Sequence, residues 1–168
     1  MSEELVHFVA EETVRNAIEA AFQQHRRNLL QRLPAVDIQH VGGTSVPGCL
    51  TKGDLDIQVR VPPSAFAEAE RVLAQHYSRN EGSIRTGDFA SFKDDAASPP
   101  LGIQLTASGG RFDMFCKLRD VLRARPNLLE QFNALKRRHE GRSMESYRAA
   151  KAAFIEAILQ SDPIQQHP

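Results

Sequence analysis

His40-Val-Gly-Gly-Thr-Ser-Val-Pro-Gly48, followed after Lys52 by Gly53-Asp-Leu-Asp-Ile-Gln-Val-Arg-Val61, decides how this chain folds. From Asp54 to Val61 the residues alternate: Leu55, Ile57, Val59 and Val61 share one face, and Asp54, Asp56, Gln58 and Arg60 share the other. That period of two predicts a strand with one buried face. Its two acids share a face with Cβ atoms about 7 Å apart. Aspartate is disfavoured in strands, so the pair asks for a reason, and holding a hard divalent cation is one. Gly42 and Gly43 follow a second alternating run, Val36 to Val41. A glycine turn there lets backbone N–H groups approach phosphate oxygens, and Thr44 and Ser45 add hydroxyl donors. The turn is neither a Walker A loop nor Gly-x-Gly-x-x-Gly.

Outward from this core, Thr13 to Leu33 carries apolar residues at helical spacing and stops before Pro34. Pro62-Pro63 ends the acidic strand, and Ser64 is placed to cap a helix from Ala65 to His76. Ile84 to Phe92 reads as a strand with a turn or bulge at Gly87, Lys93 to Pro100 as a loop, and Leu101 to Thr106 as a short strand. Three helices follow: Phe112 to Arg125, Asn127 to His139, and one opened by Ser143. The tail 161–168 reads as frayed. This order predicts an α+β domain spanning 1–168, a small mixed sheet flanked by helices with a helical C-terminal third.

Composition narrows the function. Hydrophobic residues make 41% and charged residues 25% of 168, as in a soluble globular chain. No apolar run reaches membrane-spanning length. Met1-Ser-Glu-Glu-Leu lacks the pattern of a signal peptide, so a cytoplasmic protein is expected. Basic and acidic residues both number 21, which argues against long nucleic acid as a partner. Cys49 and Cys116 have no metal-ligand spacing and read as free thiols, and the six histidines are scattered.

The turn and acidic pair together resemble the nucleotidyltransferase fold of the polymerase-beta superfamily, in which a Gly-Gly or Gly-Ser turn precedes an acidic pair on the next strand. The fuller string is similar to that of the GrpB family, with matches at His40, Gly42, Thr44 to Gly48, Lys52 and Asp56-Ile57. Leu118-Arg-Asp120 and its flanks resemble a second segment of that family, and Tyr147, Lys151 and Phe154-Ile155 its closing helix. The chain departs from the family's Pro-Tyr-Asp-Pro-x-Trp opening and has no tryptophan. Gln104 stands on the strand where superfamily enzymes place a third carboxylate. Asp113 offers either a displaced third acid or a helix cap.

The resemblance implies a Mg²⁺- or Mn²⁺-dependent nucleotidyltransferase. Asp54 and Asp56 would hold metal, with Asp113 as a candidate third ligand. Gly42, Gly43, Thr44 and Ser45 would cradle the phosphates of a nucleoside triphosphate, with Lys52 and Arg119 offsetting their charge. The acceptor would be a small molecule, a protein side chain or RNA. A nucleotide- or metabolite-binding module without turnover, acting as a partner or regulator, is the alternative, and a hydrolase using the same metal site is a third. His40 is expected to anchor its strand by a hydrogen bond. Arg119 and Arg123 form either a phosphate clamp or helix ion pairs. Tyr147 and Lys151 face either the cleft or solvent, with solvent favoured. Phe89, Phe92, Phe112 and Phe115 are expected in the core.

Overall fold

The structure, a computed structural model, describes residues 2–161. Of the tail expected to fray, only Ser161 lies among the described residues. Five strands form the main sheet: β2 (Asp37–Val41), β4 (Leu55–Val61), β5 (Ser78–Arg79), β6 (Phe89–Asp94) and β7 (Leu101–Ala107). Their order is β2-β4-β7-β6-β5, with β4 and β7 parallel and every other pair antiparallel. The acidic strand β4 therefore has neighbours on both sides. Its apolar face is buried, with Leu55, Ile57 and Val59 fully enclosed.

Two helices cover that face. Helix α1 (Glu11–Arg32) contributes Ile18 and Leu29, and α2 (Phe66–His76) contributes Phe66, Ala69 and Leu73. Against them pack Ile57 and Val59 of β4 and Ile103 and Leu105 of β7. The parallel register pairs Asp56 with Gly102, Gln58 with Gln104 and Arg60 with Thr106, which puts the polar side chains of both strands on the opposite face. Helices α3 (Phe115–Ala124), α4 (Pro126–His139) and α5 (Met144–Leu159) sit over that polar face. They build a second core from Leu122, Phe132 and Ile158 with Val46 and Cys49 of the glycine-rich segment. Ser143 caps α5, its hydroxyl accepting from the Ser146 N–H at 3.1 Å, as its position before that helix predicted. No helix among the described residues is long and apolar enough to cross a membrane.

The expected α+β architecture with a helical C-terminal third is what forms, with local differences. The strand expected over 84–92 is β6 at Phe89–Asp94, and it extends into the segment expected to be loop. Ile84 is 58% exposed and lies before the strand, and the Thr86 hydroxyl bonds the Asp88 carboxylate, turning the chain there. A two-residue pair, β1 (Val9–Ala10) with β3 (Leu50–Thr51), forms where no strand was expected. Helix α2 begins at Phe66 after a 3₁₀ turn without a side-chain cap, so Ser64 does not serve as one. Helix α3 starts at Phe115, and residues 112–114 remain in turns.

Central burial and the strand shift make opposite demands on two apolar residues. Leu105→Ala, fully buried in β7, should lower stability by about 2–5 kcal/mol. Ile84→Ser should change it by less than about 0.5 kcal/mol. Urea denaturation of the two variants checks this; comparable losses would mean that Ile84 is part of the core.

Candidate functional site

Asp56 lies on the sheet's polar face near the start of β4, between Val41–Gly42 at the end of β2 and Gly102 on β7. A Cβ at Gly42 would lie 2.4 Å from Oδ2 of Asp56, and one at Gly102 would lie 2.8 Å from Oδ1. Both neighbours are thus glycine because the carboxylate takes the space their side chains would need. Gly42 also has φ of +78°, a conformation other residues rarely adopt. Burial pushes the Asp56 carboxyl up to about 6, and Asp54 adds to the rise, while Lys151, Lys52 and Lys136 oppose it.

The turn after β2 is a 3₁₀ turn over Gly43–Ser45, and its hydroxyls are used internally. Thr44 Oγ1 donates to the Asp54 carbonyl at 3.0 Å, so it accepts from the Nε2–H of His40 at 2.9 Å. Burial holds the His40 imidazole down to about 4, neutral at physiological pH, and its ring stacks on Phe22. Ser45 Oγ donates to the Gly42 carbonyl at 2.5 Å. Arg123 grips the Ser45 carbonyl through Nε and Nη2 at 2.9 and 2.6 Å. Thr44 and Ser45, expected to meet phosphate, are therefore buried struts of the turn. Arg123 holds that turn instead of clamping phosphate. Gly43 faces the cleft.

Asp54 precedes the first paired residue of β4 and is 38% exposed, with Lys52 Nζ 3.5 Å from its Oδ2. Both line the cleft, and so loose and solvated a pair adds little stability. Asp113 is not a third acid of this site. Arg60 binds both its oxygens at 2.7 Å through Nε and Nη2, while Gln58 and the Gly109 N–H donate to it at 3.0 and 2.9 Å. The Arg60 guanidinium holds the Asp113 carboxyl below its usual range. Nor does Asp113 cap α3, whose N-cap is Met114. Arg119 is anchored on β2, its Nη1 donating to Gln39 Oε1 at 2.9 Å and to the His40 carbonyl at 3.0 Å. Among the described residues no group of three or more His, Cys, Asp or Glu could hold a metal ion.

The C-terminal helices bring Lys136, which had no assigned role, together with Tyr147 and Lys151. Lys136 of α4 is 3% exposed; its Nζ donates to the Leu50 carbonyl at 2.5 Å and to Cys49 Sγ at 3.2 Å, over the Phe132 ring. Burial pushes it down to about 8. Lys151 of α5 makes no hydrogen bond or ion pair among the described residues; burial lowers its pKa, and Asp56 opposes the shift. Tyr147 is buried beside them, so α5 turns this pair inward and not to solvent. The signal was in the helical period: Lys136 lies four residues after Phe132, and Lys151 four after Tyr147.

The cleft has two chambers. The larger, of 380 Å³, is lined by five cationic side chains, Lys52, Lys93, Lys136, Arg148 and Lys151, against Asp54, Asp56 and Asp95. The smaller, of 160 Å³, is mostly apolar. Gly43, Asp56, Gln104, Lys136 and Lys151 belong to both. A chain of zero net charge thus concentrates positive charge in one cavity.

The family model described as GrpB protein matches residues 12–161. The chain is 32% identical over 142 residues to a UPF0157 protein of Vibrio cholerae, covering 84% of this chain and 75% of that one. It is 26% identical over 132 residues to a UPF0157 protein of Halalkalibacterium halodurans, covering 74% and 66%. The crystal structure of conserved protein GrpB from Enterococcus faecalis superposes with a TM-score of 0.72 at 18% identity, over 90% of this chain and 94% of that one, and shares its fold.

The slot around Asp56 predicts a thermodynamic coupling. Gly102→Ala should cost about 1–3 kcal/mol, because its methyl overlaps a carboxylate that Gly42 confines on the other side. Adding Asp56→Ala should recover most of that cost. Equal penalties for Gly102→Ala in both backgrounds, measured by denaturation, would show that the carboxylate does not set the slot.

Proposed function

The chain belongs to the GrpB family, and we propose that it is a nucleotidyltransferase that takes a nucleoside triphosphate with Mg²⁺ or Mn²⁺ and passes a nucleotidyl group to an acceptor. The observation that carries this reading is the meeting of Asp54, Asp56 and the Gly43 backbone in a chamber whose cations outnumber its acids. At 380 Å³ that chamber falls within the roughly 300–1,000 Å³ of small-molecule sites. A triphosphate carries the charge that Lys52 and Lys136 are placed to answer.

The donor set fits one metal ion. Mg²⁺ is commonly held by one or two carboxylates with substrate phosphates completing its shell, and Asp54 and Asp56 are two. With Asp113 committed to Arg60, the residues do not fit a second ion. A bound ion would supply charge neutralisation and Lewis-acid polarisation at the phosphate oxygens. The chain's own groups do the rest. Gly42 and Gly102 fix the Asp56 carboxylate, and the Lys136 ammonium is tied by two hydrogen bonds before substrate arrives. Such groups need no reorganisation as charge develops in the transition state, so catalysis would rest on positioning and electrostatics.

A nucleotide- or metabolite-binding module without turnover is the second reading. It is favoured by Gln104, which faces both chambers where a third acid would complete a catalytic set.

Calorimetry with ATP and Mg²⁺, then a mass-spectrometric screen for pyrophosphate release over a panel of acceptors, tests both. Transfer predicts Mg²⁺-dependent ATP binding, weakened about tenfold or more in Asp56→Ala, and pyrophosphate release with at least one acceptor. ATP bound equally by wild type and Asp56→Ala, and equally in EDTA, would remove the metal role. Tight binding without release across the panel would leave the module.

A further inference from the structure

The smaller chamber has a character of its own. Val46, Leu118, Leu122, Phe132 and Ile155 form its apolar wall, and the side it shares with the larger chamber carries Asp56, Gln104, Lys136 and Lys151. Arg119 lines the smaller chamber only. At 160 Å³ it is below the roughly 300 Å³ at which drug-sized ligands begin, so its occupant is small.

We propose that this chamber is the acceptor subsite and that it takes a small carboxylic acid, with the apolar body against the helices and the carboxylate at the shared wall. The assignment rests on reading the larger chamber as the nucleotide site. Three observations select the carboxylate. Arg119 and Lys136 are already bonded to protein oxygens, whereas Lys151 has no partner among the described residues and lines both chambers. Three cations there face one carboxylate, Asp56, so an amine head would add a fourth positive charge and a neutral head would leave Lys151 unanswered. Finally, among the described residues no histidine, glutamate or cysteine lines either chamber, Gln104 cannot take up a proton, His40 is bonded to Thr44, Asp95 is paired with Lys93 at 2.9 Å, and Asp54 and Asp56 are taken by the metal on the nucleotide reading. The site is therefore poor in bases that would activate an alcohol, whereas a carboxylate is ionised on arrival. One of its oxygens attacks the α-phosphorus, forming a new P–O bond. The bond from that phosphorus to the α,β-bridging oxygen breaks, and pyrophosphate leaves with the electron pair. The product is an acyl–nucleotidyl anhydride.

Ligand-detected NMR on the full chain tests the subsite with phenylacetate, hexanoate, phenylacetamide and phenethylamine as probes, in parallel with ATP calorimetry. Phenylacetate and hexanoate should bind, and the amide and amine should bind at least about tenfold more weakly. Lys151→Met should weaken phenylacetate about tenfold, the loss carried by one charge-assisted hydrogen bond. Leu118→Trp, which fills the chamber, should abolish binding. Leu118→Ala, which enlarges it, should shift preference from hexanoate toward a longer acid, and thermal melts identify any variant that fails to fold. Lys52→Met, in the larger chamber only, should weaken ATP and leave phenylacetate unchanged. Carboxylates binding no better than the amide, or phenylacetate binding retained in Leu118→Trp, would overturn the assignment. Carboxylate binding without ATP binding would instead remove the nucleotide reading and with it the role as acceptor, while ATP binding without carboxylate binding would remove the subsite alone.

Discussion

A single carboxylate held at the start of an interior strand organises this molecule. Asp56 has glycine on each side because Gly42 and Gly102 are the only neighbours that leave room for it. The conformation of Gly42 turns the chain out of β2 and into the segment that returns to β3 and β4. Burial raises the cost of the Asp56 charge, and the nearby groups that offset it are lysines, two of them carried by α4 and α5. Sheet, turn and C-terminal helices thus meet around one electrostatic problem. Replacing Asp56, Lys136 and Lys151 by apolar residues would make a more comfortable core. Keeping charged groups there fits a site, since functional positions are where local rules of folding are broken.

The division of the cleft follows from the elements that build it. Strand alternation in β4 and β7 places Asp56 and Gln104 on the face away from α1 and α2, and the same helices that bring Lys136 and Lys151 also bring Phe132 and Ile155. One wall is therefore polar and the other apolar. Two chambers of opposite character share a boundary of charged groups, as suits a site in which a polyanion meets a smaller, partly apolar molecule.

Much of this was legible in residue order. The alternation of Asp54 to Val61 and the helical spacing in 13–33 and 127–139 produced the right elements because each is set by local periodicity. Asp54, Asp56 and Lys52 could be placed together because they fall within five residues at the start of one strand. Other features depend on packing that no local pattern encodes. Thr44 and Ser45 have the chemistry of phosphate ligands, but His40 and the Asp54 and Gly42 carbonyls occupy their hydroxyls. Asp113 stands where an acid was wanted, yet Arg60, two strand positions beyond Gln58, takes both its oxygens. Lys151 read as a solvated helix residue because its burial depends on how α5 crosses the polar face of the sheet. The short pair β1–β3 joins segments some forty residues apart and carries no periodicity at all.

The central claim is that Asp54, Asp56 and the lysines around them form a metal–polyphosphate site. A crystal structure with a non-hydrolysable ATP analogue and Mn²⁺, phased to show the Mn²⁺ anomalous signal, tests it most directly. One Mn²⁺ peak is expected at Asp54 and Asp56, with Lys52 and Lys136 within hydrogen-bond distance of the triphosphate. An analogue bound outside the cleft, or seated in it with no Mn²⁺ on either aspartate, would contradict it.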